Sequence, residues 1–125
     1  DMALDIVFNA KTQRIGVCNA CESLLVHRDA AERFLPRLKE KLEEKQVEIR
    51  GDEASRAVVP EFAAASEEDW GKEYLDYILS CKIVDSVDEA IRQSEKIGFR
   101  KLSMVLSKKR YDADDRVILY EKDFR

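Results

Sequence analysis

Cys18 is the residue of this chain whose type and surroundings best suit covalent chemistry. It follows a turn at Gly16 and precedes Asn19, a good N-cap residue, and Glu22 three positions later can complete a capping box. These residues predict a short helix that begins at Asn19. A thiol at a helix start lies near unpaired backbone N–H groups and the positive end of the helix dipole, which both favour the thiolate. The pattern therefore predicts a cysteine that attacks a carbonyl carbon, with a packed structural thiol as the alternative.

Cys18 and Cys21 also form a C-x-x-C pair, which can be a dithiol redox centre or half of a zinc site. His27 could be a third ligand, but the sequence offers no fourth, since Cys81 lies far along the chain in an apolar run. We therefore expect no metal. We expect Cys21 to be a small packing residue, which could still form a disulfide with Cys18 under oxidation.

Alternating helices and strands must position these residues. Apolar periodicity predicts helices at 2–12, at 29–45 with Asp29 as its cap, and at 86–97 with a capping box from Ser86 to Glu89 and a stop at Gly98. The inner face of the second helix should carry Phe34, Leu35, Leu38 and Leu42, and Pro36 should kink or split it.

Compact or alternating apolar runs predict strands at 23–27, 47–50, 77–79, 81–84, 101–107 and 116–120. The Ala-rich segment 54–66 is predicted to be a loop that holds a short strand at 57–59. Alternation of helix and strand predicts an α/β fold, a three-layer sandwich with a mostly parallel sheet. We expect a single domain over residues 1–125.

The composition is that of an ordinary globular protein, with 45% hydrophobic and 38% charged residues in 125. The net charge is −4, and basic and acidic residues are mixed along the chain, so the sequence shows no basic patch of the kind that binds nucleic acid. No apolar stretch reaches the length of a membrane span, and no signal-peptide pattern opens the chain. Three cysteines, an odd number, argue against a disulfide framework. We therefore expect a cytoplasmic protein that binds neither nucleic acid nor membrane.

Two sequence blocks resemble one enzyme family. The segment NAKTQRIGVCNACESLLVH at 9–27 resembles the nucleophile segment of gamma-glutamyl phosphate reductases, also called glutamate-5-semialdehyde dehydrogenases. These enzymes are a proline-biosynthesis branch of the aldehyde dehydrogenase superfamily. The segment EEDWGKEYLDYILS at 67–80 and its continuation KIVDSVDEAI at 82–91 resemble the same family in the same order. The resemblance covers residues 1–98, and residues 99–125 form a divergent tail.

The resemblance implies an incomplete catalytic domain of the aldehyde dehydrogenase type that reduces L-glutamyl 5-phosphate to glutamate 5-semialdehyde with NADPH. Cys18 matches the nucleophile, whose thiolate would displace phosphate to give a thioester that hydride then reduces. The backbone amides of Cys18 and Asn19 could hold the oxyanion, and the Asn19 side chain could contribute or serve only as a cap. Lys11 and Arg14 could steer the substrate phosphate, or they could lie on a solvated helix face.

Glu73 is the cofactor residue that the resemblance implies. It matches a glutamate that holds the nicotinamide ribose in other aldehyde dehydrogenases, although LDYI at 75–78 replaces the Phe-Gly-Pro-Val that follows there. An exposed glutamate in an acidic stretch is the alternative. Ile15 stands where the family has proline, and FRKL at 99–102 stands where it has a Gly-rich stretch with His-Thr.

The dinucleotide-binding domain that precedes the nucleophile in this family has no counterpart here. The chain has 4 glycines and no glycine-rich phosphate loop. We therefore expect NADP(H) to be bound mainly by a domain absent from this chain, in cis or in trans, and the isolated chain to be inactive. A homo-oligomer is possible. Two alternatives are a non-catalytic interaction module derived from this fold and a C-x-x-C redox or metal protein.

Overall fold

The computed structural model describes residues 2–17, 20–97, 104–110 and 117–121, with side chains given for 2–17 and 20–95. Within these residues the helices are α1 (Met2–Thr12), α2 (Arg28–Glu43), α3 (Glu53–Val58) and α4 (Val87–Ile97), and a 3-10 turn spans Glu67–Asp69. The strands are β1 (Ser23–His27), β2 (Glu48–Gly51), β3 (Ala63–Ala64), β4 (Ile78–Val84), β5 (Met104–Arg110) and β6 (Val117–Glu121).

The described strands form one sheet in the order β3-β2-β4-β1-β5-β6. Every neighbouring pair is parallel except β5 and β6, which are antiparallel. Strand β1 is buried at all five positions and lies between β4 and β5. A strand that is buried on both faces reads as a continuous apolar run, as Leu24 to Val26 does.

Helices cover both faces of the sheet, so the predicted three-layer α/β architecture is confirmed. Leu24 and Val26 face the large core, to which α1, α2 and α3 contribute, whereas Leu25 packs on the opposite face with Ala90 of α4. The chain moves from β1 through α2 to β2 on one face, and from β4 through α4 to β5 in the other direction on the other face. The two crossovers run in opposite directions across the sheet and lie on opposite faces of it. Because both properties are reversed together, the two crossovers have the same hand, as parallel sheets require.

Helix α2 is anchored by the apolar stripe that its periodicity predicts. Its buried residues are Ala31, Phe34, Leu35, Leu38 and Leu42. The prediction that Asp29 caps the helix is wrong, because His27 is the N-cap and its Nδ1 accepts a hydrogen bond from the Asp29 amide at 3.1 Å. Of the two outcomes predicted for Pro36, a kink or a split, the split is wrong, because the helix runs through this exposed proline as one element.

The loop predicted over 54–66 is also wrong, because this segment contains α3 and β3. Asp52 is the N-cap of α3, and its carboxylate accepts a hydrogen bond from the Ser55 amide at 2.9 Å. A β-carbon on Gly51 would lie 2.2 Å from Oγ of Ser55, so glycine allows the helix to pack closely on the end of β2. The strand-like runs predicted at 77–79 and 81–84 belong to one strand, β4, because Ser80 between them is paired within the sheet.

The other predicted elements agree closely with the structure. Helix α1 has the predicted bounds, and β6 overlaps the strand predicted at 116–120. Strand β5 shares residues 104–107 with the strand predicted at 101–107 and continues to Arg110, while residues 101–103 lie outside the described residues. Helix α4 begins after Ser86, whose Oγ accepts from the Glu89 amide at 3.0 Å, while the Glu89 carboxylate accepts from the Asp85 amide. The stop predicted at Gly98 lies outside the described residues. None of the helices in the described segments has the length and apolar character needed to cross a membrane.

Candidate active site at the amino edge of the sheet

The two sequence segments predicted to do chemistry enter neighbouring parallel strands. The Cys18 segment leads into β1 and the Glu73 segment leads into β4, and Ser23 is in register with Ser80. Because β1 and β4 are parallel, both entering segments lie at the amino edge of the sheet. Cys18 and Asn19 themselves lie outside the described residues, so their predicted roles stay predictions.

The chain between Cys18 and β1 is held by the tertiary structure on two sides. The amide of Cys21 donates to the carbonyl of Ala10 at 2.9 Å, at the end of α1. On the other side, the amide and hydroxyl of Ser80 donate to the carbonyl of Glu22 at 3.1 and 3.2 Å. These bonds hold residues 20–22 in a non-helical conformation. The helix predicted to begin at Asn19 is therefore wrong for residues 20–22, and the dipole argument for Cys18 loses its support.

Glu22 links three parts of the site instead of completing a capping box. Its Oε1 accepts from the Lys11 ammonium at 2.7 Å, and these side chains are 2% and 0% exposed respectively. Its Oε2 accepts a hydrogen bond from the amide of Leu75 at 3.0 Å. Helix α1, the entrance to β1 and the segment that carries Glu73 therefore meet at one buried carboxylate. Sequence spacing gave no signal for this contact, because its partners are far apart along the chain.

The basic residues upstream of Cys18 have different environments. Arg14 is exposed after the end of α1, whereas Lys11 is fully buried. The solvated-face alternative is therefore wrong for Lys11. The predicted contact of Lys11 with a substrate phosphate stays a prediction, and its ammonium is engaged by Glu22.

Glu73 is exposed, and a second polar cluster fixes its neighbour Tyr74. The Tyr74 hydroxyl donates to Oδ1 of Asp69 at 2.6 Å, and Arg50 donates to the same oxygen at 3.1 Å. The Ser66 amide donates to Oδ2 of Asp69 at 2.7 Å. Burial alone would raise the pKa of Asp69, but these hydrogen bonds and the Arg50 charge outweigh it and lower the pKa to about 2.

The side chains of Cys21 and Cys81 lie in the hydrophobic core and are both 0% exposed. Burial raises the pKa of the Cys81 thiol far above its ordinary value. The prediction of Cys21 as a packing residue is confirmed by this burial. Among the described residues, which leave out Cys18, no group of three or more histidine, cysteine or acidic side chains could hold a metal ion.

Two surface grooves lined by described residues lie away from these side chains. One of about 690 Å³ lies beside the end of α2 and strands β2 and β3, and one of about 520 Å³ lies between α2 and α3. Lys11, Arg14 and Glu73 line neither groove. Of the described candidates, the exposed Glu73 carboxylate fits a nicotinamide ribose, since it can accept hydrogen bonds from vicinal hydroxyls.

Comparison with known proteins agrees with the sequence resemblance, although no family model matches the chain. Gamma-glutamyl phosphate reductase of Halothermothrix orenii is 51% identical over 107 residues, which cover 86% of this chain and 26% of that protein. The reductase of Listeria innocua is 50% identical over 106 residues, covering 85% and 26%. That of Clostridium perfringens is 48% identical over 114 residues, covering 91% and 28%.

The fold agrees with the same assignment. The crystal structure of gamma-glutamyl phosphate reductase from Thermotoga maritima matches with a TM-score of 0.75 at 48% identity, covering 78% of this chain and 23% of that one. The chain thus spans about a quarter of the length of the curated relatives that it matches. Over the matched residues, the chain belongs to the gamma-glutamyl phosphate reductase family, within the aldehyde dehydrogenase superfamily.

Proposed function

We propose that this chain is the nucleophile-bearing part of a gamma-glutamyl phosphate reductase that reduces L-glutamyl 5-phosphate to L-glutamate 5-semialdehyde with NADPH, a step of proline biosynthesis. The observation that carries this proposal is the junction of the Cys18 and Glu73 segments, which the Glu22 carboxylate joins through the Leu75 amide at 3.0 Å. A nucleophile segment and a cofactor-binding segment must lie together for covalent catalysis followed by hydride transfer.

In this proposal Cys18 supplies the nucleophile. Its thiolate attacks the acyl carbon of the substrate, the C–O bond to phosphate breaks, and a thioester forms on Cys18. The backbone amides of Cys18 and Asn19 hold the negative oxygen of the tetrahedral state, and the Asn19 side chain can assist. NADPH, when bound, would supply a hydride to the acyl carbon of the thioester. The C–S bond would then break, which releases the aldehyde and restores the Cys18 thiolate.

Glu73 and Arg14 are assigned to ligand binding in this proposal. The Glu73 carboxylate accepts hydrogen bonds from the nicotinamide ribose, and it is exposed as that contact requires. Arg14 suits the substrate phosphate better than Lys11, because Arg14 is exposed and Lys11 is fully buried against Glu22. The remaining NADP(H) contacts belong to a dinucleotide-binding domain, in cis or in trans. We place the protein in the cytoplasm, as the odd number of cysteines favours.

The first test is the pH dependence of Cys18 alkylation by iodoacetamide in this chain, read by mass spectrometry. An apparent pKa well below the ordinary thiol value of about 8.5 supports the nucleophile. A Cys18→Ser variant assigns the signal, and Cys21→Ala is the matched control, since it keeps Cys18 and changes the other half of the C-x-x-C pair. An unreactive or unshifted Cys18 contradicts the proposal and favours a non-catalytic interaction module.

The acylation half of the reaction can be tested without a cofactor domain. The chain is incubated with acetyl phosphate, and the adduct is located by peptide mass spectrometry before and after hydroxylamine treatment. A hydroxylamine-sensitive acetyl group on Cys18, absent from Cys18→Ser, is the expected result. Acetylation confined to lysine side chains would contradict acyl transfer to the thiol.

A further inference from the structure

The buried Lys11–Glu22 pair takes no part in the chemical steps proposed above. We propose that Glu22 is a positioning residue that fixes the backbone of the segment carrying Glu73, with Lys11 as its counter-charge. The significance of Glu73 rests on the proposed function, whereas the fixing of the segment is a property of the fold alone.

Both charges of the Lys11–Glu22 pair are buried. Lys11 lies in the last turn of α1 and Glu22 just before β1, and the distance from Nζ to Oε1 is 2.7 Å. Removing a carboxylate and an ammonium from water is costly unless each finds a partner with good geometry. The pair therefore fixes the Glu22 carboxylate in one orientation, with its second oxygen directed at the Leu75 amide.

Leu75 has an unusual backbone conformation. Its φ is +52°, in the left-handed region that non-glycine residues rarely adopt, and its side chain is half-exposed. Such a conformation persists where surrounding contacts determine it. The hydrogen bond from the Leu75 amide to Glu22 is a contact of this kind, and it acts on the backbone of Leu75 itself.

Glu73 directly precedes two residues that hydrogen bonds hold in place. Tyr74 is bound through its hydroxyl to Asp69, and Leu75 is bound through its amide to Glu22. The Glu73 side chain is left exposed on a backbone that is held on its carboxyl side. A carboxylate on a backbone held in this way loses less backbone freedom when it binds a ribose than one on a mobile loop.

The test compares two double variants of this chain that differ at one side-chain group. Lys11→Met with Glu22→Gln removes both charges and keeps an oxygen that can accept from Leu75. Lys11→Met with Glu22→Met removes the charges and also the acceptor. Amide hydrogen exchange at Leu75 is measured by NMR, with the Ser80 amide as internal reference, because it bonds to the Glu22 backbone carbonyl in every variant.

We expect exchange at Leu75 to accelerate about tenfold in the methionine double variant, which corresponds to the loss of one hydrogen bond. The glutamine double variant should stay within about twofold of wild type, since its side-chain oxygen rescues that bond. If Glu22 only stabilised the fold through its charge pair with Lys11, both double variants would show the same change in amide exchange at Leu75. That result would overturn the proposal. Should the methionine pair fail to fold, Lys11→Leu with Glu22→Leu is compared with Lys11→Leu with Glu22→Gln instead.

Failure of this proposal can be distinguished from failure of the proposed function. Loss of Leu75 protection in the methionine variant alone, together with an unreactive Cys18, supports the positioning by Glu22 and rejects the reductase. Equal Leu75 exchange in both double variants, together with a reactive Cys18, rejects the positioning and leaves the reductase supported.

Discussion

The hydroxyl of Tyr74 donates a hydrogen bond of 2.6 Å to Oδ1 of Asp69, and this bond ties the segment entering β4 to the 3-10 turn before it. Arg50 of β2 shares the same carboxylate oxygen and lies 5.4 Å from the centre of the Tyr74 ring. Burial, with help from the hydrogen bond to Asp69, raises the pKa of Tyr74 above its ordinary value. The tyrosine therefore stays a donor over the whole physiological pH range.

Asp69 should give the fold a distinct sensitivity to acid. Its pKa in the native chain is about 2, below the unfolded value of about 3.9. A carboxyl whose pKa is lowered by folding stabilises the native state above its unfolded pKa. We therefore expect about 2 kcal/mol from this group above about pH 5, lost progressively as the pH falls toward 2. Urea unfolding at a series of pH values measures this loss.

The control for the acid prediction is the adjacent exposed residue Glu68, which belongs to the same turn. Asp69→Asn should flatten the pH dependence between about 5 and 2, whereas Glu68→Gln should leave its slope nearly unchanged. Equal slopes for wild type and Asp69→Asn would show that other carboxyls cause the acid sensitivity.

Tyr74→Phe isolates the contribution of the phenolic hydroxyl. The variant keeps the ring beside Arg50 and removes one donor from a carboxylate that is 7% exposed. We expect a loss of about 1.5 kcal/mol in the free energy of unfolding near pH 7, as for a hydrogen bond to a charged group. Tyr77→Phe is the matched control, since Tyr77 is an exposed tyrosine of the same segment. A loss in the control as large as in Tyr74→Phe would contradict this assignment.

Local periodicity was enough to predict the elements that form the core. The apolar run at Leu24 to Val26 and the stripe at Phe34, Leu35, Leu38 and Leu42 are buried as expected. Such patterns depend on residues that are neighbours in one helix or strand, so the sequence contains all the information needed. The family resemblance supplied the rest of the site, because no periodicity identifies Glu73.

The predictions from local sequence were wrong where contacts with distant residues determine the backbone conformation. The Asn19–Glu22 pattern favours a helix start, but the Ala10 carbonyl and Ser80 bind the backbone of residues 21 and 22 and prevent it. The Glu22 side chain binds Lys11 and Leu75, a choice that depends on the packing of α1 against the sheet. Helix α3 was missed because its six residues are too few to show a period.

Gln46 ends the turn that follows α2 and has the left-handed conformation for which glycine is strongly preferred. Its φ is +54°, and the Val47 amide donates to the Leu42 carbonyl while the Gln46 amide donates to that of Glu43. These bonds are those of a Schellman motif with a non-glycine residue in the left-handed position. We expect Gln46→Gly to raise the free energy of unfolding by about 0.5–1 kcal/mol, because it relieves the steric cost of the side chain.

Lys45→Gly is the matched control for the helix-end prediction, since Lys45 is exposed and lacks a positive φ. Lys45→Gly should destabilise the chain by about 0.5–1 kcal/mol. Glycine at this position relieves no steric cost in the folded state, and it raises the conformational entropy of the unfolded chain. Thermal and urea unfolding of both variants measure the two effects. The same sign of change in both would show that the conformation of Gln46 is not the cause.

The two core cysteines should be unreactive in the folded chain. Cys21 and Cys81 are both 0% exposed, and burial raises the pKa of Cys81 so that little thiolate forms. The Cys18→Ser variant is treated with Ellman's reagent in native buffer and in about 6 M guanidinium, which unfolds most domains. The reagent should modify both remaining thiols of the unfolded chain, and in the same time it should modify neither thiol of the native chain. Cys18→Ser combined with Cys81→Ala assigns any residual signal to Cys21. Rapid native modification of Cys21 would contradict its place in the core and revive the dithiol alternative, since a disulfide with Cys18 requires an accessible Cys21 thiol.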